Sequence, residues 1–203
     1  MKYAIGTEED EFEPGSDRKV LKNMLSITSE LDMQDAESSL LLGLYEFIYE
    51  PEFNVNSISF SDIMTWHRKW LGNVYSWAGL FRSVNMGKGG FEFAAAKFVP
   101  ALVKKYEQDF LISYLKLTEL EREELISYLA KSHVEFILIH PFREGNGRLS
   151  RLLLDVMATH AGYGPLDYSV WDANKDYYFK SIQAGHAGDY HHIERLVRDV
   201  LED

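Results

Sequence analysis

Apolar residues recur with a helical period along most of this chain. Between Asp35 and Glu50 they return about every 3.6 residues, which predicts an amphipathic helix that ends at Pro51. The same spacing predicts two more amphipathic helices. The first is Ser61–Leu71, with Ser59 or Ser61 as its N-cap, and the second runs from Ala94 or Ala95 to about Tyr114.

Two later segments are strongly apolar, the first of them chiefly toward its end. They are Glu121–Ile139 and Arg148–His160, and this pattern is typical of helices buried at the centre of a domain. The link between them, residues 140–147, is polar and rich in glycine. Because it joins two buried helices, its polar groups must bind a ligand, water or one another. We therefore expect the chemistry of the protein in this link.

A single segment has the pattern of β-structure. Arg82–Phe93 contains two short alternating stretches around a glycine-rich tip, which predicts a β-hairpin. One hairpin is only marginally stable by itself, so it must pack on the helices or pair with a partner. We predict an all-α fold, a helical bundle around a central helix pair with one small β-hairpin.

Composition narrows the functional classes. The chain has 203 residues, 46% of them hydrophobic, and no internal repeat, so we expect one domain. Without cysteine there can be neither disulfides nor thiolate metal ligands. No apolar run reaches the roughly 18 residues of a membrane span, and a net charge of −11 argues against direct binding of nucleic acid. These properties fit a cytoplasmic protein.

The acidic residues are concentrated near the N-terminus. Five carboxylates without a counter-charge fall within Glu8–Glu13, which indicates a solvated segment. We therefore predict a mobile acidic arm at residues 1–14 and a single domain at residues 15–203.

The end of the polar link has the residues of an anion site. Gly145–Gly147 leads into a helix, where backbone N–H groups and the helix dipole favour a negative charge. Arg148 and Arg151 are three residues apart and so share one face of the first turn, where both can bind phosphate oxygens. Each feature taken singly also has a structural interpretation, as a turn or as a surface salt bridge.

The same link adds a carboxylate and an imidazole. A carboxylate beside phosphate is repulsive unless a cation bridges them, so Glu144 is a candidate Mg²⁺ ligand. His140, at the end of the preceding helix, is suited to accept a proton near neutral pH. Together these residues indicate a phosphate-transfer site. They do not specify which phosphorus is attacked or what accepts the group.

Residues His140–Arg151 read HPFREGNGRLSR. This segment resembles the signature of the Fic family, His-x-Phe-x-(Asp/Glu)-Gly-Asn-Gly-Arg-x-x-Arg, at every specified position, which makes the match highly specific. Val74–Gly79, followed by Arg82, resembles the segment that leads into the family's flap hairpin. The resemblance extends from about Gly15 to Asp199.

The resemblance implies a protein adenylyltransferase, which moves AMP from Mg²⁺-ATP to a Tyr, Ser or Thr hydroxyl of another protein. His140 would be the general base, and Glu144 would hold Mg²⁺ against the α- and β-phosphates. The residues that would bind the phosphates are Arg143, Gly145, Asn146, Gly147, Arg148 and Arg151. Members with glycine-lysine replacements in this loop phosphorylate their targets, whereas this chain keeps the residues of an adenylyltransferase.

The hairpin would act as a flap that pairs through its main chain with an extended segment of the target. A plain structural hairpin is the alternative. The flap residues are Val84, Asn85, Met86, Gly87, Lys88, Gly89, Gly90 and Phe91. Tyr177 and Tyr178 would flank the adenine ring, although aromatic residues on a late helix more often belong to the core.

The resemblance also bears on regulation. Many family members contain an inhibitory helix, Ser/Thr-x-x-x-Glu-Gly/Asn, whose glutamate pairs with the second motif arginine. Here Ser26–Glu30 and Thr7–Glu11 both lack the final Gly or Asn. We therefore predict that a separate small antitoxin protein supplies this glutamate to Arg151. A bacterial cytoplasmic toxin fits best, with DNA gyrase and topoisomerase IV subunits as first target candidates; the catalytic part of a secreted effector also fits.

Other interpretations stay open on the sequence alone. The loop is suited to recognise phosphates better than bases, so transfer of UMP or phosphocholine competes with transfer of AMP. A catalytically silent Fic module would bind a peptide through its hairpin. A metal site at His186, His191 and His192 lacks the carboxylates that orient histidine ligands.

Overall fold

The computed structural model describes residues 8–50 and 57–201. These residues form eight α-helices and one two-stranded hairpin: α1 Glu30–Ile48, α2 Phe60–Leu71, β1 Gly87–Lys88, β2 Phe91–Glu92, α3 Val99–Asp109, α4 Arg122–Ile139, α5 Asn146–His160, α6 Ser169–Ala173, α7 Lys175–His186 and α8 His191–Val200. Three segments of 3-10 helix complete them: Glu8–Asp10, Ala96–Phe98 and Leu111–Glu119. The predicted all-α class with a small hairpin is confirmed.

Helices α4 and α5 form the centre of the bundle. They pack against each other, and α4 also contacts α3, α7 and α8, which explains why it is apolar on almost every side. The predicted central pair is thus confirmed. Although both helices are strongly apolar, no helix in the described ranges is long and apolar enough to cross a membrane.

The starts of the first two helices are set by serine N-caps. Helix α2 begins after Ser59, whose side chain accepts from Asp62 N while the Asp62 carboxylate accepts from Ser59 N, and this confirms one of the two expected caps. Helix α1 begins at Glu30 rather than at Asp35, because Ser29 caps it and Met33 adds an early buried position. The predicted stop at Pro51 lies outside the described residues.

The third predicted helix is shorter than expected. Its α-helical part is Val99–Asp109, with Pro100 in the first turn, and 3-10 segments lie on both sides of it. In the following segment Leu111, Tyr114 and Leu117 are buried at three-residue intervals, which is the period of a 3-10 helix. Apolar spacing alone does not separate these two helix types over one or two turns.

The hairpin forms where the sequence indicated it. Gly87 pairs with Glu92, and Lys88 pairs with Phe91, in an antiparallel ladder. The two-residue tip, Gly89–Gly90, has positive φ angles of 59° and 80°, as a type I′ turn requires. Glycine is the residue that adopts this conformation at no steric cost.

The N-terminal segment differs from the expected solvated arm. Residues 1–7 lie outside the described residues, but Glu9 is only 7% exposed. Its carboxylate accepts hydrogen bonds from the backbone N–H and the hydroxyl of Ser83, and its carbonyl accepts one from Arg143 Nε at 2.9 Å. A buried, hydrogen-bonded carboxylate ties this segment to the domain, so the arm is not solvated at Glu9.

Candidate active site

A cavity of about 790 Å³ opens at the N-terminal end of α5. Its walls come from α1, the hairpin, the α4–α5 loop, α6 and α7. Its volume is in the usual range for small-molecule sites, roughly 300–1,000 Å³. All eight predicted catalytic, metal and phosphate residues line it: His140, Arg143, Glu144, Gly145, Asn146, Gly147, Arg148 and Arg151.

The α4–α5 loop is held in shape by its own residues. Asn146 Nδ2 donates to Phe142 O at 2.7 Å, and Phe142 N donates to Asn146 Oδ1 at 2.9 Å. Phe142 is fully buried, and its ring stacks on His67 with centroids 4.1 Å apart. The Asn146 side chain therefore braces the loop, so it can contribute to anion binding through its backbone N–H rather than through its amide.

Gly145 lies where no other residue fits. Its φ is +80°, and a Cβ atom there would lie 2.6 Å from Cζ3 of the Trp70 ring. The loop can thus approach α2 closely only because this position has no side chain.

The start of α5 presents unpaired backbone donors to the cavity. The first bond of the helix runs from Leu149 N to Gly145 O, and Gly145 N donates to Glu144 Oε1 at 2.8 Å. Within the described part of the chain, the N–H groups of Asn146, Gly147 and Arg148 have no acceptor. Together with the helix dipole, these N–H groups are suited to bind an anion.

His140 has the tautomer and protonation state of a general base. Its Nδ1 lies 3.2 Å from Ile137 O, and because a carbonyl can only accept, Nδ1 carries the proton and Nε2 keeps its lone pair. The ring stacks on Phe93 of the hairpin, with centroids 3.7 Å apart. Burial, followed by the charges of Arg82 and Lys88, lowers the pKa of His140 to about 4. His140 is therefore neutral at physiological pH.

His67 connects the loop to the segment after α2. Gly79 N donates to its Nδ1 at 2.8 Å, so its Nε2 carries the proton and donates to Glu144 O at 3.1 Å. Burial lowers the pKa of His67 to about 4, which keeps both bonds in place at neutral pH. This residue supports the loop and takes no direct part in the cavity.

The two motif arginines are each paired with an acid outside the motif. Arg148 Nη2 lies 2.6 Å from Glu37 Oε2, and Arg151 binds both carboxylate oxygens of Asp172, at 2.9 and 3.2 Å. The Arg151 guanidinium also lies over a set of aromatic rings: Tyr168, Trp171 and Tyr178. The third candidate, Arg143, lines the cavity, but its Nε is bound to the N-terminal segment.

Glu144 is the one motif carboxylate in the cavity. Its side chain is 41% exposed, and its Oε1 lies 3.5 Å from Arg148 Nη2. The described residues contain no group of three or more side chains that would hold a metal ion by themselves. The donor set, one accessible carboxylate beside an anion site, fits Mg²⁺ shared between protein and phosphate oxygens, since Mg²⁺ usually keeps only one or two carboxylates.

The two tyrosines expected at the adenine occupy different places. Tyr178 lines the cavity, with its hydroxyl 2.8 Å from His133 Nε2. Tyr177 is not part of the cavity wall. Its side chain lies against α8, with the hydroxyl 3.2 Å from His192 Nδ1. Of the flap residues, Met86, Gly87 and Lys88 face the cavity. Phe91 lies on the other side of the hairpin, against His186.

Arg82 joins the hairpin to the α4–α5 loop. Its buried guanidinium donates to the carbonyls of Val84 and Ala94 at the base of the hairpin, and to those of Ile139 and His140. Sequence reasoning placed Arg82 before the flap but did not assign it this contact. It gave no site role to Glu37 and Asp172, because nothing near them in the sequence indicates a site, and it placed Phe93 in the hairpin without its contact to His140.

Solved structures with the same fold confirm the architecture. The Fic domain of a putative cell filamentation protein from Bartonella quintana, with bound ADP, superposes with a TM-score of 0.79 at 23% identity, over 96% of this chain and 95% of that one. The BepC protein of Bartonella tribocorum, with bound AMPPNP, gives a TM-score of 0.78 at 20% identity, over 95% of this chain and 96% of that one.

Sequence comparison also finds proteins with Fic domains. A protein named protein adenylyltransferase Fic from Aedes aegypti is 26% identical over 202 residues, which are 98% of this chain and 39% of that protein. The chain therefore spans about two fifths of the length of the curated relatives it matches. The profile of the Fic/DOC family matches residues 57–158, half of the chain, and includes the whole α4–α5 loop. With this match and the geometry above, the chain belongs to the Fic/DOC family.

Proposed function

We propose that this protein transfers AMP from ATP to a hydroxyl side chain of a target protein. The observation that carries the proposal is the neutral His140, with a free Nε2 lone pair, in the same cavity as the anion site at the start of α5. The names of the relatives and the nucleotides bound in two structural neighbours support it.

The reaction balances as a displacement at the α-phosphorus. His140 Nε2 takes the hydroxyl proton, the hydroxyl oxygen forms a bond to the α-phosphorus, and the bond to the β-phosphate bridging oxygen breaks to release pyrophosphate. The α5 N–H groups and the guanidinium groups of Arg148 and Arg151 lie where they can stabilise the negative charge. Preorganised donors of this kind are commonly the largest catalytic contribution.

Two features adapt the site to this reaction. Mg²⁺ held by Glu144 would neutralise phosphate charge, which removes the repulsion between this carboxylate and the substrate. The polyphosphate would also raise the pKa of His140, because added negative charge favours the protonated imidazole. His140 thus becomes a stronger base only when the substrate is bound.

We assign target binding to the hairpin edge that faces the cavity, at Gly87. Because Phe93 N donates to Met86 O, the alternation of an antiparallel ladder leaves the polar groups of Gly87 directed outward. A target segment paired there would pass within reach of His140, which stacks on the same hairpin through Phe93.

Replacing Gly90 with valine is expected to lower target modification about tenfold or more, while ADP binding stays at the wild-type level. The β-branched side chain is strained at the φ of +80° that the tip requires. The matched control is Gly162→Val, since Gly162 also has a positive φ but lies at the end of α5, away from the hairpin. Equal losses in both variants would contradict a docking role for the hairpin.

The partners remain those that the resemblance implies. We propose a hydroxyl-bearing target, with type II topoisomerase subunits as first candidates, and a separate small antitoxin that supplies a glutamate to Arg151, within the bacterial cytoplasm. Of the two internal candidates, Glu30 lines the cavity, whereas Glu11 is bound to Lys22. In the structure, Asp172 accepts hydrogen bonds from the same Arg151 donors that such a glutamate would bind, so the glutamate would replace Asp172 there.

The direct test is transfer of label from ATP. Purified chain, a bacterial lysate and Mg²⁺ are incubated with ATP labelled at either the α- or the γ-phosphate. Label transferred to protein from the α-position alone supports adenylylation. Transfer from the γ-position indicates a kinase instead, and better competition by UTP than by ATP indicates another nucleotide. A chain that binds no Mg²⁺-ATP in a titration would be a silent binding module.

A further inference from the structure

A buried carboxylate outside the motif lies in the wall of the cavity. Glu37, on α1, is 5% exposed. Its Oε2 binds Arg148 Nη2 at 2.6 Å, and its Oε1 accepts a hydrogen bond from the Tyr75 hydroxyl at 2.8 Å. Its backbone carbonyl accepts from Trp70 Nε1, also at 2.8 Å. Both oxygens of the carboxylate are thus committed, and its place in the fold is fixed.

Stability alone gives little reason for this arrangement. A buried ion pair seldom stabilises a fold more than apolar residues of the same volume, because both charges lose their hydration. A carboxylate in the wall of a polyphosphate site is also repulsive toward the ligand. Glu37 therefore points to a role that outweighs its unfavourable charge.

That role concerns the direction of the Arg148 guanidinium. The group lies over the Trp70 ring, 4.7 Å from its centre, and Glu37 holds it by Nη2. Because guanidinium is rigid and planar, these two contacts fix its orientation. In the described ranges Nε and Nη1 of Arg148 have no hydrogen-bond acceptor, so these donors remain for a ligand.

We propose that Glu37 is a positioning residue, which holds Arg148 in the orientation that binds the terminal phosphates of the nucleotide. The inference rests on the proposed function, since it assumes that the cavity binds ATP. It extends the site beyond the motif to α1, with Tyr75 as the residue that holds Glu37 in turn.

The two roles predict opposite results for Glu37→Gln. If Glu37 were only a structural acid, removal of its negative charge would leave ADP affinity unchanged or strengthen it, by Coulomb's law. If it positions Arg148, the neutral amide oxygen holds the guanidinium more weakly than the carboxylate does, so Arg148 loosens. We then expect the Kd of ADP with Mg²⁺ to rise about tenfold, as for a lost charge-assisted hydrogen bond.

Isothermal titration of the intact chain with ADP and Mg²⁺ is the measurement, with Glu46→Gln, an exposed acid on the same helix, as control. In an Arg148→Gln background, Glu37→Gln is expected to change the Kd by less than about twofold, because the group that it positions is absent. Additive losses in the double variant would overturn the proposal, and so would ADP affinity in Glu37→Gln equal to or above that of the wild type.

A second variant covers the case in which Glu37→Gln does not fold. Tyr75→Phe removes only the hydroxyl that holds Glu37 and leaves every charge in place. We expect it to raise the Kd of ADP about two- to fivefold, and an unchanged Kd would overturn the proposal. Failure of the wild-type chain itself to bind ADP would instead reject the proposed function.

Discussion

Loss of the His140 imidazole is expected to lower the rate of AMP transfer by about 10²–10⁴-fold, the usual contribution of a general base. His140→Asn is the better variant than alanine, because His140 has a left-handed backbone with φ of 49°, which asparagine tolerates. ADP binding should remain near the wild-type level, since the phosphate donors are untouched. Label transfer and ADP titration on the same preparation measure both quantities.

His191→Asn is the matched control, because its side chain is 92% exposed on α8 and outside the cavity. It should transfer AMP at the wild-type rate. A His140→Asn variant that retained more than about a tenth of the activity would exclude His140 as the base.

The protonation state of His140 adds a test that does not depend on a target. Its pKa in the unliganded chain is lowered to about 4, so the imidazole should stay neutral in an NMR titration from pH 8 down to about pH 5. Saturation with ADP and Mg²⁺ should move the titration to higher pH, because negative charge favours the imidazolium. A midpoint near 6.5 in the unliganded chain would show that His140 is not buried as described.

Alanine at Gly145 is expected to damage both the fold and the reaction. Its Cβ would lie 2.6 Å from Trp70 Cζ3, at a φ of +80° that L-residues avoid. We expect the free energy of unfolding to fall by roughly 2–4 kcal/mol, from overpacking and backbone strain together. Transfer should fall by about 100-fold, as for displacements of about 1 Å in a catalytic group. Urea denaturation and label transfer measure the two effects.

Gly188→Ala separates these two causes of damage. Gly188 has a similar φ of +87°, but a Cβ atom there meets nothing within 4 Å. It should therefore lose only about 1–2 kcal/mol of stability, through backbone strain, and keep full transfer activity. If Gly145→Ala were no worse than Gly188→Ala, close packing against Trp70 would not be what positions the loop.

The sequence was informative wherever the determining residues are close together in the chain. The period of apolar residues predicted α2, α4 and α5, and twelve consecutive residues, His140–Arg151, predicted the cavity wall around the anion site. Helix boundaries differ from the prediction: α1 starts earlier than expected, and part of the third helix is a 3-10 helix. In both places a few local contacts decide between conformations that have nearly the same apolar pattern.

The residues that sequence reasoning missed act across long separations. Glu37 and Arg148 are 111 positions apart, and Arg82 and His140 are 58 apart. Glu37 and Arg82 are ordinary charged residues in their own neighbourhoods, and only the packing of α1 and the hairpin against the α4–α5 loop brings them to Arg148 and His140. The acidic run Glu8–Glu13 shows the same limit, because a count of charges does not reveal that the Glu9 carboxylate has buried hydrogen bonds.

The contacts of Arg82 bear on how such proteins diversify. All four acceptors of its guanidinium are main-chain carbonyls, two at the base of the hairpin and two at the end of α4. This joint does not depend on which side chains the hairpin carries between Asn85 and Glu92. Under the proposed function, mutations in that interval can therefore change target recognition without breaking the joint that holds His140, so selection can act on the choice of target while the position of the base is inherited unchanged.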